Sequence, residues 1–274
     1  MSVRATRGAW VALSLATLLL TGCGNDGQGV RDEGDGPGTL ADVSSDVSSD
    51  VSSDVGTDVG TDAVGAHAGR AAPEPVRPRE IPALGPATRA RIPAASTQAL
   101  VVTGEGPDAN RATAVLYTRD RVKGWLPADG PWPARNAARG WTGEHRAGDL
   151  RSPVGVFGLT DAGGRLADPG TRLPYDHGPG FTARGTGVEG EPLAGSFDYV
   201  VAVNYNRAPG TTPLDWTRPL GAGRGGGIWL HVDHGGPTQG CVALPRDRMR
   251  QLLRALDPAR TPVVVMGDAA ALSR

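Results

Sequence analysis

The stretch Gly227–Pro245, GIWLHVDHGGPTQGCVALP, decides how the folded part of this chain is interpreted. An apolar run ends at His231, a polar and glycine-rich turn follows, and Cys241 begins the next apolar run. This pattern is typical of a strand, a tight turn and a second element. Because the turn can fold back, we expect the imidazole of His231 and the thiol of Cys241 to lie close together.

A cysteine and a histidine in this arrangement can carry out nucleophilic chemistry. The reactive form of cysteine is the thiolate, and an unperturbed thiol has a pKa of about 8.5, so a base must take its proton. His231 is the candidate base, and Gly240 gives the backbone freedom to aim successive N–H groups at an oxyanion. The group that orients His231 is predicted to be either a nearby backbone carbonyl or Asp233.

Other interpretations of the same residues remain open. Cys241 alone could be a small buried apolar residue, and His231 could be a core histidine. His231, His234 and Cys241 could together form a three-ligand zinc site. His234 could also contact substrate or be a solvated loop residue. The nucleophilic interpretation explains more of the residues and needs no metal.

Two separated motifs resemble those of a known family. The first, GDLRSPVGVF, covers Gly148–Phe157 and resembles the strand-turn pattern G-D-x-x-[ST]-P-x-G-x-[FY]. The second, TQGCV, covers Thr238–Val242 and follows a predicted strand that ends in histidine. In this order they resemble the catalytic signature of L,D-transpeptidase (YkuD-type) domains. The resemblance extends from about Thr97 to the end of the chain.

The resemblance implies a mainly β fold, a sandwich-like or barrel-like domain with few helices. It also implies an enzyme that cross-links the stem peptides of peptidoglycan without a metal or an organic cofactor. Cys241 would attack the carbonyl of the third residue of a tetrapeptide and expel the terminal D-Ala, with His231 as the base. The backbone of Gln239, Gly240 and Cys241 would bind the oxyanion, within the motif that Thr238 begins.

The acyl acceptor stays open at this point. An amine of a neighbouring stem peptide makes the protein a transpeptidase, whereas water makes it an L,D-carboxypeptidase that trims tetrapeptides. A third alternative is a lipoprotein that binds the cell wall without catalysis. Gln239 and Ala243 stand where many family members have His and Arg, which leaves the donor preference open as well.

Further contacts with small molecules follow from the same resemblance. His234, Tyr175 and Tyr205 are candidate substrate-binding residues, although both tyrosines could equally be ordinary packing residues. Beta-lactams of the carbapenem type are expected to acylate Cys241.

The first 22 residues are predicted to be a lipoprotein signal peptide. Arg4 and Arg7 precede a mostly apolar run, Ala9–Leu20, which is too short to span a membrane. The run leads into Leu20-Thr21-Gly22-Cys23, which resembles a bacterial lipobox. Acyl chains on Cys23 would anchor the protein stably on the outer face of the cell membrane. Cys241 is then the one remaining cysteine, so no intramolecular disulfide can form.

Residues 23–96 are predicted to be a disordered tether that lets the domain reach into the cell wall. Repeats of DVSS and DVGT begin at Asp42, and one apolar residue per repeat buries too little surface to offset the entropy of ordering. A Pro- and Arg-rich stretch, Ala71–Pro93, follows and is expected to be extended. Residues 97–274 then form the catalytic domain.

Short β-branched runs between turn residues predict the strands of that domain. They are Ala99–Thr103, Ala112–Thr118, Gly155–Leu159, Phe197–Asn204, Gly227–Val232 and Thr261–Met266. One helix is predicted, because Met249, Leu252, Leu253 and Leu256 share one face. The net charge of the chain is −1, which gives no indication of a nucleic-acid partner.

Overall fold

The computed structural model describes residues 79–274. The predicted signal peptide, the lipidated Cys23 and the acidic repeats lie outside the described residues. Within residues 79–274, no helix has the length and apolar character needed to cross a membrane.

The described residues form a mainly β domain, as predicted, with three α-helices where the sequence predicted one. The helices are α1 (Pro86–Ala90), α2 (Arg246–Ala255) and α3 (Ala269–Leu272). The strands are β1 (Gln98–Gly104), β2 (Arg111–Asp120), β3 (Gly124–Arg135), β4 (Trp141–Thr142), β5 (Ser152–Pro153), β6 (Gly155–Gly164), β7 (Tyr175–His177), β8 (Val200–Val203), β9 (Trp229–Val232), β10 (Val242–Leu244) and β11 (Val263–Asp268).

Eight of these strands close into a barrel-like sheet. Its order is β11-β1-β2-β3-β10-β9-β8-β6, and β11 pairs with β6 to complete the circuit. β7 extends the sheet from β6, whereas β4 and β5 form a separate two-stranded sheet. Strand β9 therefore lies inside the sheet, with β10 parallel on one side and β8 antiparallel on the other.

The core follows from the strand and helix periodicities of the sequence. Along β2, Ala112, Ala114 and Leu116 alternate with more exposed residues, so one face of the strand points inward. Helix α2 covers the same core with the apolar face predicted from its sequence. It begins after Pro245 and ends before Leu256, which is itself buried.

Strand β3 is absent from the sequence prediction, and its prolines explain why. Pro127, Pro131 and Pro133 argue against a central strand, because proline donates no ladder hydrogen bond. In the structure, β3 pairs with β2 along its length but with β10 only at Arg135. Within residues 79–274, the rest of its second edge is bridged only at Gly124, by Arg79, so the prolines are accommodated there.

The predicted tether is wrong at its C-terminal end, because residues 79–96 belong to the fold. The Trp125 N–H donates to the Arg79 carbonyl at 2.8 Å. Ile81 and Leu84 are buried with Trp125 and Leu272 in a second, smaller core. Two apolar side chains in a Pro- and Arg-rich stretch gave too weak a sequence signal, and their burial depends on partners far along the chain.

Substitution of Ile81 tests whether this segment contributes to folding. Ile81 is 1 % exposed, so Ile81→Ala should lower the free energy of unfolding by about 2–4 kcal/mol in urea titrations of the full chain. Val122→Ala is the matched control, because Val122 is 69 % exposed and should change that free energy by less than about 0.5 kcal/mol. Equal effects of the two substitutions would show that residues 79–96 do not stabilise the domain.

Candidate active site

Parallel pairing of β9 with β10 brings His231 and Cys241 to one face of the sheet. Ala243 pairs with His231, and Val242 pairs with Leu230. Because side chains alternate along a strand and paired residues share a face, Cys241, Ala243 and His231 all point to the same side. The predicted proximity of the thiol and the imidazole therefore has a structural basis in the strand register.

The thiol of Cys241 is completely buried. Its Sγ accepts a hydrogen bond from the Trp229 N–H at 3.4 Å and lies 3.6 Å from the Gly227 carbonyl, to which the S–H can donate. Cys241 belongs to a small apolar cluster that includes Phe181, Phe197 and Trp229. The resting structure thus holds the sulfur in place and shields it from solvent.

The imidazole of His231 is neutral and has one nitrogen ready to accept a proton. Nδ1 lies 2.9 Å from the Val232 carbonyl. Because a carbonyl can only accept, Nδ1 carries the hydrogen and Nε2 carries a lone pair. Nε2 is buried and makes no hydrogen bond within residues 79–274. Burial lowers the pKa of His231 to about 4, which keeps the ring neutral at physiological pH.

This contact also decides between the two predicted orienting groups. The group that holds His231 is a backbone carbonyl, whereas Asp233 lies 3.4 Å from Arg135. A carbonyl fixes the tautomer without placing a full negative charge beside the ring.

The two sequence motifs meet at the backbone carbonyl of Cys241. The Thr238 hydroxyl donates to this oxygen at 2.6 Å, and the Ser152 hydroxyl lies 3.3 Å from it. Ser152 Oγ in turn accepts from the Ala137 N–H at 3.0 Å. Thr238 and Ser152 therefore fix the backbone that carries the thiol, which gives a physical reason for a hydroxyl residue in each motif.

The turn before Cys241 has the features of an oxyanion site. Within the described part of the chain, no hydrogen-bond acceptor faces the backbone N–H of Gln239 or of Gly240. A Cβ on Gly240 would lie 2.9 Å from the Ile228 side chain, so only glycine fits there without a shift. These N–H groups remain predicted oxyanion donors.

His234 packs directly on His231 at a partly open cavity. The two rings are parallel within 9°, with centroids 5.7 Å apart. Both histidines line the cavity together with Phe197, Thr238 and Gln239. Nδ1 of His234 lies 3.1 Å from Glu191 Oε1. No motif or spacing in the sequence singles out Glu191, which lies in the long irregular segment between β7 and β8.

The aspartate of the first motif shapes a loop on the other side of Gly240. Asp149 accepts hydrogen bonds from the backbone N–H groups of Arg146 and Arg151, at 2.8 and 2.9 Å. Its Oδ1 also lies 3.0 Å from Nδ1 of the buried His145. Sequence reasoning passed over His145, whose ring would lie 3.5 Å from a Cβ on Gly240.

The two candidate tyrosines are not part of this cavity. The Tyr175 hydroxyl donates to the Leu166 carbonyl at 2.9 Å. The Tyr205 hydroxyl lies 2.9 Å from the Arg224 carbonyl, and its ring packs edge-on against His145. Both tyrosines pack against the main core, and their role in substrate binding stays a prediction.

The zinc interpretation finds no support in the geometry. Among residues 79–274, no three His, Cys, Asp or Glu side chains form a group that could hold a metal ion. His231, His234 and Cys241 therefore do not converge as ligands, although they lie in one region.

Comparison with known proteins agrees with this arrangement. The family model described as the L,D-transpeptidase catalytic domain, YkuD, matches residues 101–265. This range contains both motifs and every residue of the site described above. No curated protein sequence matches the chain.

The depressed pKa of His231 predicts a loss of stability in acid. The unfolded chain has an ordinary His pKa of about 6.5, whereas the folded chain has a pKa of about 4 at this residue. The unfolded state therefore binds the proton first as the pH falls from about 6.5 to 4, which destabilises the fold by about 3 kcal/mol. Urea unfolding at several pH values should show this loss in the wild type but not in His231→Gln, relative to each protein at pH 7. Parallel pH curves for the two proteins would contradict a buried neutral His231.

The hydroxyl of Thr238 should contribute to the free energy of unfolding of the domain. Thr238→Val keeps the side-chain shape but leaves the Cys241 carbonyl without its shortest hydrogen bond, at a cost of about 1–3 kcal/mol in the free energy of unfolding. Thr97→Val is the control, because its hydroxyl makes only an exposed 3.5 Å contact. Chemical denaturation measures the free energy of unfolding of each variant. An unchanged free energy of unfolding in Thr238→Val would show that this hydroxyl does not fix the turn.

Proposed function

Since the chain belongs to the L,D-transpeptidase (YkuD) catalytic-domain family, whose activity is directed at peptidoglycan, we propose that it cross-links peptidoglycan stem peptides through Cys241. The observation that carries this proposal is the placement of the Cys241 thiol and the neutral His231 imidazole on one face of two adjacent strands. A thiol beside a base with an available lone pair is the arrangement that nucleophilic catalysis needs.

The first half-reaction forms a thioester. Nε2 of His231 takes the proton of the Cys241 thiol, and the sulfur attacks the carbonyl carbon of the third residue of a tetrapeptide. The N–H groups of Gln239 and Gly240 stabilise the oxyanion of the tetrahedral intermediate. The C–N bond to the terminal D-Ala then breaks, and the proton on His231 passes to the departing amine.

Entry of substrate requires a movement around Cys241. The thiol has no exposed surface, so the cluster that covers it must open before a carbonyl carbon can reach the sulfur. Leu214 packs against this cluster from the long segment between β8 and β9, a type of element that often moves during catalysis. Closure after binding would exclude water from the thioester.

The second half-reaction decides between the candidate activities. An amine of a second stem peptide forms a cross-link, whereas water would release a tripeptide. We favour transfer to an amine, because a second histidine, His234, lines the cavity beside His231 and lies 3.1 Å from the carboxylate of Glu191, a pair that suits a cationic acceptor. Within this proposal, acyl chains on Cys23 hold the enzyme at the outer face of the cell membrane, and the segment between Cys23 and residue 79 lets it reach the wall.

Purified tetrapeptide muropeptides provide the test. The full chain should produce a dimer that is one D-Ala lighter than two monomers, together with a thioester mass adduct on Cys241. Cys241→Ala should abolish both products, and His231→Gln should slow adduct formation by about 10²–10⁴-fold. The exposed His177 supplies the control, because His177→Gln should behave as the wild type does. A carbapenem should give an adduct on the same thiol.

The other outcomes identify the alternative functions. Tripeptide without dimer would make the protein an L,D-carboxypeptidase. Absence of any adduct with either the tetrapeptide or the carbapenem would favour the lipoprotein that binds the wall without catalysis. Intact-protein mass spectrometry and separation of the muropeptides distinguish these results.

A further inference from the structure

The pair His234–Glu191 lies at the cavity of the proposed active site but takes no part in thioester formation. His234 packs on His231, and its Nδ1 lies 3.1 Å from Glu191 Oε1. The side chains of His234 and Glu191 are 4 % and 13 % exposed. His234 lines the same cavity as His231, and the largely buried carboxylate of Glu191 lies directly behind it, so the pair needs an explanation beyond packing.

Two glycines, Gly187 and Gly236, leave room for the carboxylate of Glu191. A Cβ on Gly187 or on Gly236 would come within 2.1 Å of Glu191 Oε1, so either substitution would push the carboxylate out of its present position. Glu191 Oε2 accepts from the Glu189 N–H at 2.9 Å, and the Gly187 N–H donates to the Glu191 carbonyl at 2.7 Å. The loop is therefore folded around this carboxylate, which fixes one oxygen beside His234.

His234 is arranged as a second neutral base. Nδ1 of His234 and Oε1 of Glu191 are 3.1 Å apart and buried, although their alignment is not that of a hydrogen bond. Because a carboxylate can only accept, this neighbour favours the tautomer with the hydrogen on Nδ1 and the lone pair on Nε2. Burial lowers the pKa of His234, while the nearby Glu191 raises it and thus opposes part of that effect. Asp233 is paired with Arg135, whereas among residues 79–274 the carboxylate of Glu191 forms its ion-pair contact with His234 alone.

We propose that Glu191 and His234 bind the ammonium group of the acyl acceptor and that His234 removes its proton. This inference rests on the function proposed above and identifies the acceptor as a primary amine that is protonated in solution. An ammonium ion cannot attack a thioester until it loses a proton, whereas water needs no such step. The pair therefore favours transfer over hydrolysis.

The transfer begins when Nε2 of His234 takes one proton from the ammonium ion. The resulting amine then attacks the thioester carbonyl carbon. A C–N bond forms, and the second proton of the attacking nitrogen passes to Nε2 of His231. The C–S bond then breaks, and His231 returns that proton to the Cys241 sulfur. The proton on His234 is released to solvent.

Two acceptors that differ in charge test this role. The wild type, His234→Gln, Glu191→Gln and the control His177→Gln are first converted to the Cys241 thioester with a tetrapeptide donor. Each thioester is then offered a stem peptide with a protonated amine or hydroxylamine, which is uncharged at neutral pH. Mass spectrometry gives the rate of product formation for each acceptor and the KM for the stem peptide.

The ratio of the two rates is the readout. In His234→Gln the rate with the protonated amine, divided by the rate with hydroxylamine, should fall by about 10²-fold relative to the wild type. Glu191→Gln, which keeps the side-chain shape, should raise the KM for the protonated amine and lower the same ratio. His177→Gln should give the wild-type ratio. Because the ratio compares two acceptors on one thioester, a change in thioester formation does not affect it.

Equal losses with both acceptors would overturn the proposal and assign His234 and Glu191 a merely structural role. If His234→Gln does not fold, as judged by thermal unfolding, Glu191→Gln carries the same comparison. Absence of a thioester in the wild type would instead overturn the proposed function, together with this inference. A wild-type thioester and an unchanged ratio in the variants would overturn the inference alone.

Discussion

The parallel register between β9 and β10 is the constraint on which the site depends. It places His231 beside Ala243, so the base and the thiol of Cys241 point to the same side of the sheet. Side chains alternate along a strand, and a shift of one residue would turn Cys241 to the opposite face. The hydroxyl of Thr238, from the same turn, and that of Ser152, from β5, both reach the Cys241 carbonyl and thereby help to hold this register.

Burial has a large effect on the protonation states of the two histidines at this site. His231 is neutral because the protein interior disfavours its charged form, and it is oriented by a carbonyl rather than by a carboxylate. His234 has the same protonation state but a carboxylate neighbour. Two stacked imidazoles with different partners can thus serve different protons, one from a thiol and one from a cation. The proposed roles differ because Nδ1 of His231 faces a backbone carbonyl, whereas Nδ1 of His234 faces a carboxylate.

Local patterns predicted those parts of the molecule that local patterns determine. Periodicity and turn residues predict the strand that contains His231 and the turn before Cys241. They also predict the helix face of Met249, Leu252 and Leu253. β3 escaped prediction because its prolines are tolerated only at an edge that the topology leaves without a strand partner. Glu191 escaped because its role arises from contacts with His234 and two glycines that no spacing reveals.

Closure of the barrel also determines when in folding the sheet can be completed. β1 pairs in parallel with β11, so the first strand of the sheet finds this partner only in the last one. All residues from β1 to the end of β11 must therefore be available before the circuit of strands can close. Contacts between such distant segments slow folding. The Cys241 thiol is covered only once Phe181, Phe197 and Trp229 have packed around it, so the chain is most vulnerable to oxidants before it has folded and before it has any activity to lose.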